Sequence, residues 1–440
     1  MGILNTQSNN FILPLQRSGN RKTRTDKRLG TTLTYAYDNI YQLLTAKQGT
    51  TTKESYTGAC PERYSSREAM RVSRRNPVGN RLSSVGVSPY SYNSSNQLTS
   101  IPGTTYAYDN NGNLQTKTTS AGTTTYSWDY ENRLKQITLP GTGGTVTFKY
   151  DPFGRRVQKA FTQGGTTTTT NYLYDGENVT EELDSSGNVL ARYTDEPRWD
   201  GPLSMLRAGT TSYYEQDGLN SVTSLTNSSA ALANTYTYDS FGKLTASTGT
   251  LTNPFQYTAR EFDSETGIYG YRARYYDENT GRFVSEDPKQ FAGGSTNFYP
   301  YVRNNPPNFR DPQGQIPIWG WWCGPNWTGG SFAPYDPSRA GQYHKPWGDT
   351  DTACMHHDIC YYECRKGHPC SKEDRAACMR KCDATLMAEA PYSIMGNVVS
   401  WWVWNGNKNP DTGDNDSSCP CERGKQKSIY PEHEHFMSGW

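Results

Sequence analysis

Along most of the chain, apolar and polar residues alternate in short runs that turn residues interrupt at regular intervals. Tyr106-Ala107-Tyr108 and Tyr126-Ser127-Trp128 put an aromatic at every second position, the period of a strand with one buried face. The runs end in turn signals such as Asn-Asn-Gly-Asn (110–113) and Asp-Pro-Phe-Gly (151–154), which predict hairpins. The unit, aromatic-x-aromatic-Asp followed by a turn and a short apolar stretch, starts at Tyr35, Tyr106, Tyr126, Phe148, Tyr172 and Tyr236. Asp109, Asp129, Asp151 and Asp175 follow one another at spacings of 20, 22 and 24 residues. One hairpin of this size cannot bury a core, so the units are expected to stack side by side into a continuous sheet.

After residue 347 the period changes. From Asp351 to Cys364 the chain reads as a helix: Gly348 to Thr350 supply the cap, Arg365 and Lys366 fill the last turn, and Gly367 stops it. A second helix starts at Ser371, with Asp374 as capping-box partner, and ends before Pro391. The linker is only about four residues, so the two run antiparallel. Cys360 and Cys364 are one turn apart on the first helix, and Cys378 and Cys382 one turn apart on the second. In an antiparallel pair Cys360 faces Cys382 and Cys364 faces Cys378, which would place two disulfide rungs across the helices. Sequence leaves the connectivity open. Zinc is the rival reading, against which stand the missing C-x-x-C knuckle and a spacing that suits disulfides. His357 shares a face with Cys360 and Cys364, and Asp358 is rotated from it by about 100°.

Composition divides the chain at the same place. A length of 440 residues implies two or more domains. The 32 tyrosines and 41 glycines, with 33% hydrophobic residues and a mean hydropathy of −0.86, indicate turn-rich β-structure for the body. Nine of the ten cysteines lie between Cys323 and Cys421, and all six histidines from His344 onward. A disulfide-type domain with an oxidising destination therefore follows the body. The net charge of +1 provides no global field for nucleic acid. No apolar run reaches the roughly 18 residues of a membrane span. The first residues, Met-Gly-Ile-Leu-Asn-Thr, lack the layout of a signal peptide, although they fit a loose myristoylation pattern.

The repeat unit resembles the YD repeats of Rhs and teneurin-like proteins, whose repeats wind into a hollow β-shell. Gly267 to Gln315, with Tyr-Arg-Ala-Arg-Tyr-Tyr-Asp (271–277), Gly-Arg-Phe (281–283), two Asp-Pro pairs and the Asn-Asn-Pro at 304–306, closely resembles the Rhs-associated core. That core precedes a variable C-terminal toxin. The resemblance implies a disordered lead over 1–27, a YD-repeat array over 28–246, the core block over 247–315 and a toxin domain over 316–440. Glu54 to Asn76 breaks the repeat and reads as a disordered insertion. In the family, two aspartates of the core block cut the chain just downstream, and here they match Asp287 and Asp311. The cut would follow Gln315, where the family has leucine. Paired carboxyls can divide into one acid and one base. The competing reading is that both Asp-Pro pairs merely start turns.

The C-terminal segment resembles a secreted calcium-dependent phospholipase A2. The expected fold class is thus multidomain: an all-β YD-repeat shell segment followed by a small, mainly α, disulfide-rich phospholipase A2-like domain. The resemblance makes His357 the base that activates water, with Asp383 and Tyr361 fixing it, and Asp358 a bidentate ligand of Ca2+. Further calcium ligands would be the carbonyls of Trp322, Gly324 and Asn326, and Cys323 would bond Cys354. Ala353, where the family has a cysteine, and Pro325 in the calcium loop depart from its pattern. Tryptophans 319, 321, 322 and 327, with 401, 402 and 404, suit a lipid interface or the cover of a small core. Cys370, Cys419 and Cys421 stay unassigned. The implied reaction is hydrolysis of the sn-2 ester of glycerophospholipids at a membrane surface by a secreted or delivered toxin, with an immunity protein as partner. The alternatives are a non-catalytic YD-repeat binding protein with a silent phospholipase-like module, and a nuclease payload. From Ile316 on, 12 Lys/Arg face 15 Asp/Glu, which weighs against nucleic acid.

Overall fold

Threonine and tyrosine fill the strands of this chain, and an Asp or Asn starts most of the turns between them. In the computed structural model the described residues are 11–12, 20–38, 42–57, 78–196, 201–293, 295–315, 317–319, 327–328, 331–332, 359–360, 362–364, 378 and 382. They divide into two compact units, Met1–Gly320 and Trp321–Trp440. Among the described residues of the first unit, β1 (Phe11–Ile12), β2 (Thr23–Asp26), β3 (Thr31–Tyr37), β4 (Leu43–Gln48), β5 (Thr51–Thr57) and β6 (Ser83–Ser84) form one sheet. A second sheet of 16 strands runs in strict chain order from β7 (Ser91–Tyr92) to β22 (Leu244–Thr248), each strand antiparallel to the last. The expected stacking of hairpins into a continuous sheet is what the chain adopts.

Two side-chain devices repeat along it. In the turns at Asp109, Asp129, Asp151, Asp217 and Asp239, one carboxylate oxygen accepts the backbone N–H groups two and four residues on, at 2.8–3.0 Å. Asn93 and Asn227 do the same with an amide oxygen. These are extended Asx turns, which satisfy donors the turn would otherwise leave open. Asp175 departs from the series: it pairs with Asn178 across a two-residue turn and needs no clamp. The aromatic just before the turn Asp, whether or not that Asp is a clamp, reaches back to the preceding strand. Tyr150, Tyr174 and Tyr238 donate their hydroxyls to the carbonyls of Leu134, Arg156 and Val222 at 2.7–3.0 Å, and Trp128 donates its indole N–H to Leu114 at 2.8 Å. Each acceptor is the first residue of the preceding strand, so every such aromatic ties one turn to the turn before it.

Burial alternates as the sequence pattern predicts. Tyr106, Leu114, Tyr126, Leu134, Ile137, Val146 and Phe148 form one buried face, while on the exposed face threonine hydroxyls pair across strands, as Thr118 with Thr123 at 2.9 Å. The sheet of β23 (Glu261–Asp263), β24 (Ile268–Tyr271), β25 (Arg274–Asp277) and β26 (Arg282–Phe283) packs on that buried face through Ile268, Tyr275 and Val284. Asp263 fastens it with ion pairs to Arg156 at 2.6 Å and Lys159 at 3.0 Å, and these cations hold its carboxyl below the usual range against the cost of burial. Behind lies a cluster of rings in which Tyr276 and Tyr301 have centroids 4.7 Å apart and Tyr271 and Tyr301 5.4 Å.

The N-terminal sheet seats on the last repeats. Phe241 completes a cluster with Tyr35, Leu43 and Ala46, Glu54 accepts the Ser240 N–H with both oxygens at 3.1 Å, and Arg28 donates to Thr223 O at 3.0 Å. Two expectations are corrected here. The lead is not uniformly disordered, because Thr23–Asp26 is a paired strand whose polar composition hid it. The supposed insertion starts too early, because β5 continues to Thr57 and Glu54 is a buried anchor; residues 58–77 lie outside the described residues. Finally, β27 (Phe309–Arg310) and β28 (Ile318–Trp319) pair antiparallel around residues 311–317, and Ile318 is buried. Among the described residues no helix is long and apolar enough to cross a membrane.

The hydroxyl ties should be separable from ring packing. Tyr238→Phe leaves the Val222 carbonyl without its donor and should destabilise the first unit by about 1–3 kcal/mol in chemical denaturation. Tyr213→Phe, at an exposed position, should change stability by less than about 0.5 kcal/mol. Equal effects would remove the hydroxyl tie as a stabilising element.

Candidate active site

Burying a carboxylate demands a countercharge, and burying two in one place demands a shared one. β25 supplies it. Arg274 Nη2 lies 3.0 Å from Asp287 Oδ2 and 3.3 Å from Asp311 Oδ2, and all three side chains are buried. The guanidinium is held from every side: its plane sits over Phe283 with 3.6 Å to the ring centroid, Nη1 donates to Phe298 O at 2.9 Å, and Nε donates to Gly314 O.

Each aspartate also starts a turn. Asp287 Oδ1 accepts the Lys289 N–H at 2.8 Å, and Asp311 Oδ1 accepts the Gln315 N–H at 2.9 Å. The turn reading of the two Asp-Pro pairs is therefore correct and incomplete, because the second oxygen of each converges on Arg274. In the Asp-Pro-Gln-Gly turn, Gly314 has φ +67°, and a Cβ there would lie 2.3 Å from Tyr271 O. Only glycine lets this turn press against the hairpin of β24 and β25, which carries Arg274.

Gly293 marks where the acid meets the chain. A Cβ built on it would lie 2.8 Å from Asp287 Oδ2 and 3.1 Å from the Gln315 carbonyl oxygen. The carboxyl and the carbonyl thus flank one gap that the missing side chain leaves open. Burial pushes the Asp287 carboxyl up to about 6, against the pull of Arg274. A carboxylic acid beside a peptide carbonyl, with a second carboxylate near it, can divide acid and base roles in peptide hydrolysis. The structure brings Asp287, Asp311 and Gln315 together. It adds Arg274 and Gly293, which sequence reasoning missed. The need of a buried acid pair for a cation pointed to the arginines of Tyr-Arg-Ala-Arg, although not to which one.

In the second unit, residues 359–360, 362–364, 378 and 382 are helical. Cys360 is bonded to Cys382 and Cys364 to Cys378, with Cα–Cα distances of 5.8 and 5.6 Å. These are the two rungs of the antiparallel arrangement. His357, Asp358, Tyr361, Asp383, Trp322, Gly324, Asn326, Cys323 and Cys354 lie outside the described residues.

Residues 20–307 match the family profile described as Teneurin YD-shell, which is well over half of the chain. This chain belongs to the teneurin YD-shell family. Among relatives of the YD shell, the tRNA(Glu)-specific nuclease WapA of Bacillus subtilis subsp. natto is 33% identical over 266 residues, 58% of this chain and 11% of that protein. The double-stranded DNA deaminase toxin A of Burkholderia cenocepacia is 27% identical over 329 residues, 65% of this chain and 22% of that protein. A structure of the Photorhabdus luminescens Tc holotoxin pore aligns with a TM-score of 0.49 at 18% identity, covering 70% of this chain and 17% of that one. The YD shell described here spans about a tenth of the length of the first relatives it matches.

Arg274→Gln should raise the Asp287 carboxyl above its value of about 6, because the mutation removes the opposing cation and leaves the burial. An NMR titration of the Asp287 side chain in the two proteins tests this, and an unchanged or lower value would break the proposed coupling.

Proposed function

We propose that this chain is part of a delivered YD-shell toxin that cuts itself after Gln315 and carries a calcium-dependent phospholipase A2. The observation that carries the cleavage is the meeting of Asp287, Asp311 and the Gln315 carbonyl around Arg274 and Gly293. Protonated Asp287 donates to the Gln315 carbonyl oxygen while ionised Asp311 takes a proton from a water whose oxygen bonds the carbonyl carbon; the carbon–nitrogen bond to Ile316 then breaks as Asp311 passes that proton to the nitrogen and the carbonyl oxygen returns its proton to Asp287. The toxin role is supported by the names of the relatives, a nuclease and a deaminase toxin.

Those two names differ in activity although both proteins share the shell, so the payload is best read from its own residues. The two disulfides support the phospholipase reading, since they join Cys360 and Cys364 to Cys382 and Cys378, the cysteines that stand next to His357-Asp358 and Asp383 in the sequence. Where calcium is bound, Asp358 and the 322–326 loop would hold it, and it would polarise the ester carbonyl. His357 would take the proton of the attacking water, oriented by Asp383. A second reading, a payload acting on nucleic acid, draws on the relatives' names and leaves the partner of this domain open between lipid and nucleic acid.

Purified chain should yield a fragment that begins at Ile316, and Asp311→Asn should abolish it. The rate should fall as the pH rises through about 6, because Asp287 then loses the proton it must donate. Gly293→Ala should slow the reaction by about 10²-fold, since the new methyl wedges the carboxyl from the carbonyl. A chain that stays at full mass in all three proteins would refute self-cleavage.

The oxidised chain should release fatty acid from phosphatidylcholine vesicles with calcium and not with excess chelator. His357→Ala should lower turnover by roughly 10²–10⁴-fold. Degradation or deamination of tRNA or DNA by the same preparation, with no fatty acid released, would replace the phospholipase with the second reading.

A further inference from the structure

The four cysteines of the two rungs are not merely two bonds side by side. Sγ of Cys364 lies 3.5 Å from Sγ of Cys382, across the rungs. The Sγ atoms of Cys360, Cys364 and Cys382 all lie within 4.8 Å of one another, and the fourth, of Cys378, is bonded to Cys364 and stands outside that group. Cys364 and Cys382 are almost fully buried, with Cys360 and Cys378 packed against them. A tetrahedral zinc–thiolate centre has zinc–sulfur bonds of about 2.3 Å, which puts its sulfurs about 3.8 Å apart. The cross-rung pair already stands close to that spacing. With the disulfides reduced, the bonded pairs would part and Cys378 would turn in toward the other three sulfurs, movements that side-chain rotation can supply.

We propose that, once reduced, Cys360, Cys364, Cys378 and Cys382 form a four-thiolate zinc site that keeps the two helices pinned where disulfides do not persist. A dithiol reductant supplies two electrons and two protons to each disulfide and leaves as its own disulfide. Zinc then displaces the four thiol protons and gains four zinc–sulfur bonds. The helix pair is thus crosslinked on either side of a delivery step, covalently in an oxidising compartment and by metal in a reducing one. This goes beyond the phospholipase reading and does not depend on it, since it concerns only how the helices are held.

The test uses the full chain, reduced under inert gas, freed of reductant and treated with iodoacetamide with or without one equivalent of zinc. Peptide mapping reads each cysteine separately, so the other six do not confuse the result. Zinc should slow alkylation of all four rung cysteines together by roughly tenfold or more, because a metal-bound thiolate is a poor nucleophile. Protection of fewer than all four, or none, would overturn the proposal. Cobalt in place of zinc should give tetrahedral tetrathiolate absorption in the reduced chain, and Cys378→Ser should lose it. Absorption that survives in the variant would place the metal elsewhere. Phospholipid hydrolysis is not a readout here, so the proposal and the assigned reaction fail separately.

Discussion

A carboxylate oxygen that accepts two backbone N–H groups governs this architecture. A sheet with so many threonines and so few large aliphatics cannot rely on burial alone, so its turns must be satisfied locally. The Asp clamp does this at 109, 129, 151, 217 and 239, and fixes where each strand ends. The preceding aromatic reaches the carbonyl one turn back, beside clamped turns at 129, 151 and 239 and beside the unclamped turn at 175 alike. Tyr-Asp is therefore one mechanical unit, in which Asp closes its own turn and the aromatic couples it to the last. Trp128 shows that the coupling needs a donor of the right reach rather than a phenol.

The core block uses parts of the same clamp for another end. Asp287 accepts the N–H two residues on and Asp311 the N–H four residues on, and their other oxygens face a protein interior instead of water. Arg274 is what makes that possible. Its fixed plane, held by Phe283, Phe298 and Gly314, brings two acids to one nitrogen while burial keeps Asp287 ready to hold a proton near neutral pH. A structural motif thereby sets one carboxyl raised by burial beside a second carboxyl on the same guanidinium.

Much of this was legible in the sequence where period and spacing carry it. The repeats and the hairpins follow from the spacing of Tyr-x-Tyr-Asp, and the core block from its resemblance to the Rhs-associated core. The rung partners Cys360–Cys382 and Cys364–Cys378 follow from one-turn spacing on two antiparallel helices. What escaped depends on long-range packing. Thr23–Asp26 has no apolar period, and only pairing with β3 makes it a strand. Glu54 looks like part of a charged insertion until Ser240 is seen to donate to it from 186 residues away. Arg274 is one arginine among several, and Gly293 is informative only through what its absent side chain would strike.

The short hairpin of β27 and β28 changes what a cut at residue 315 would accomplish. The bond lies inside the loop, so Ile318 and Trp319 sit on the far side of it and still pair with Arg310 and Phe309. Severing the backbone there would leave a nicked complex, with the new amino end moored by two ladder residues and one buried isoleucine. Departure would then be a separate event with its own barrier, set by how easily Ile318 is pulled from its socket. A pull on the downstream segment would lower that barrier, so the ladder residues would decide how long the two pieces stay together.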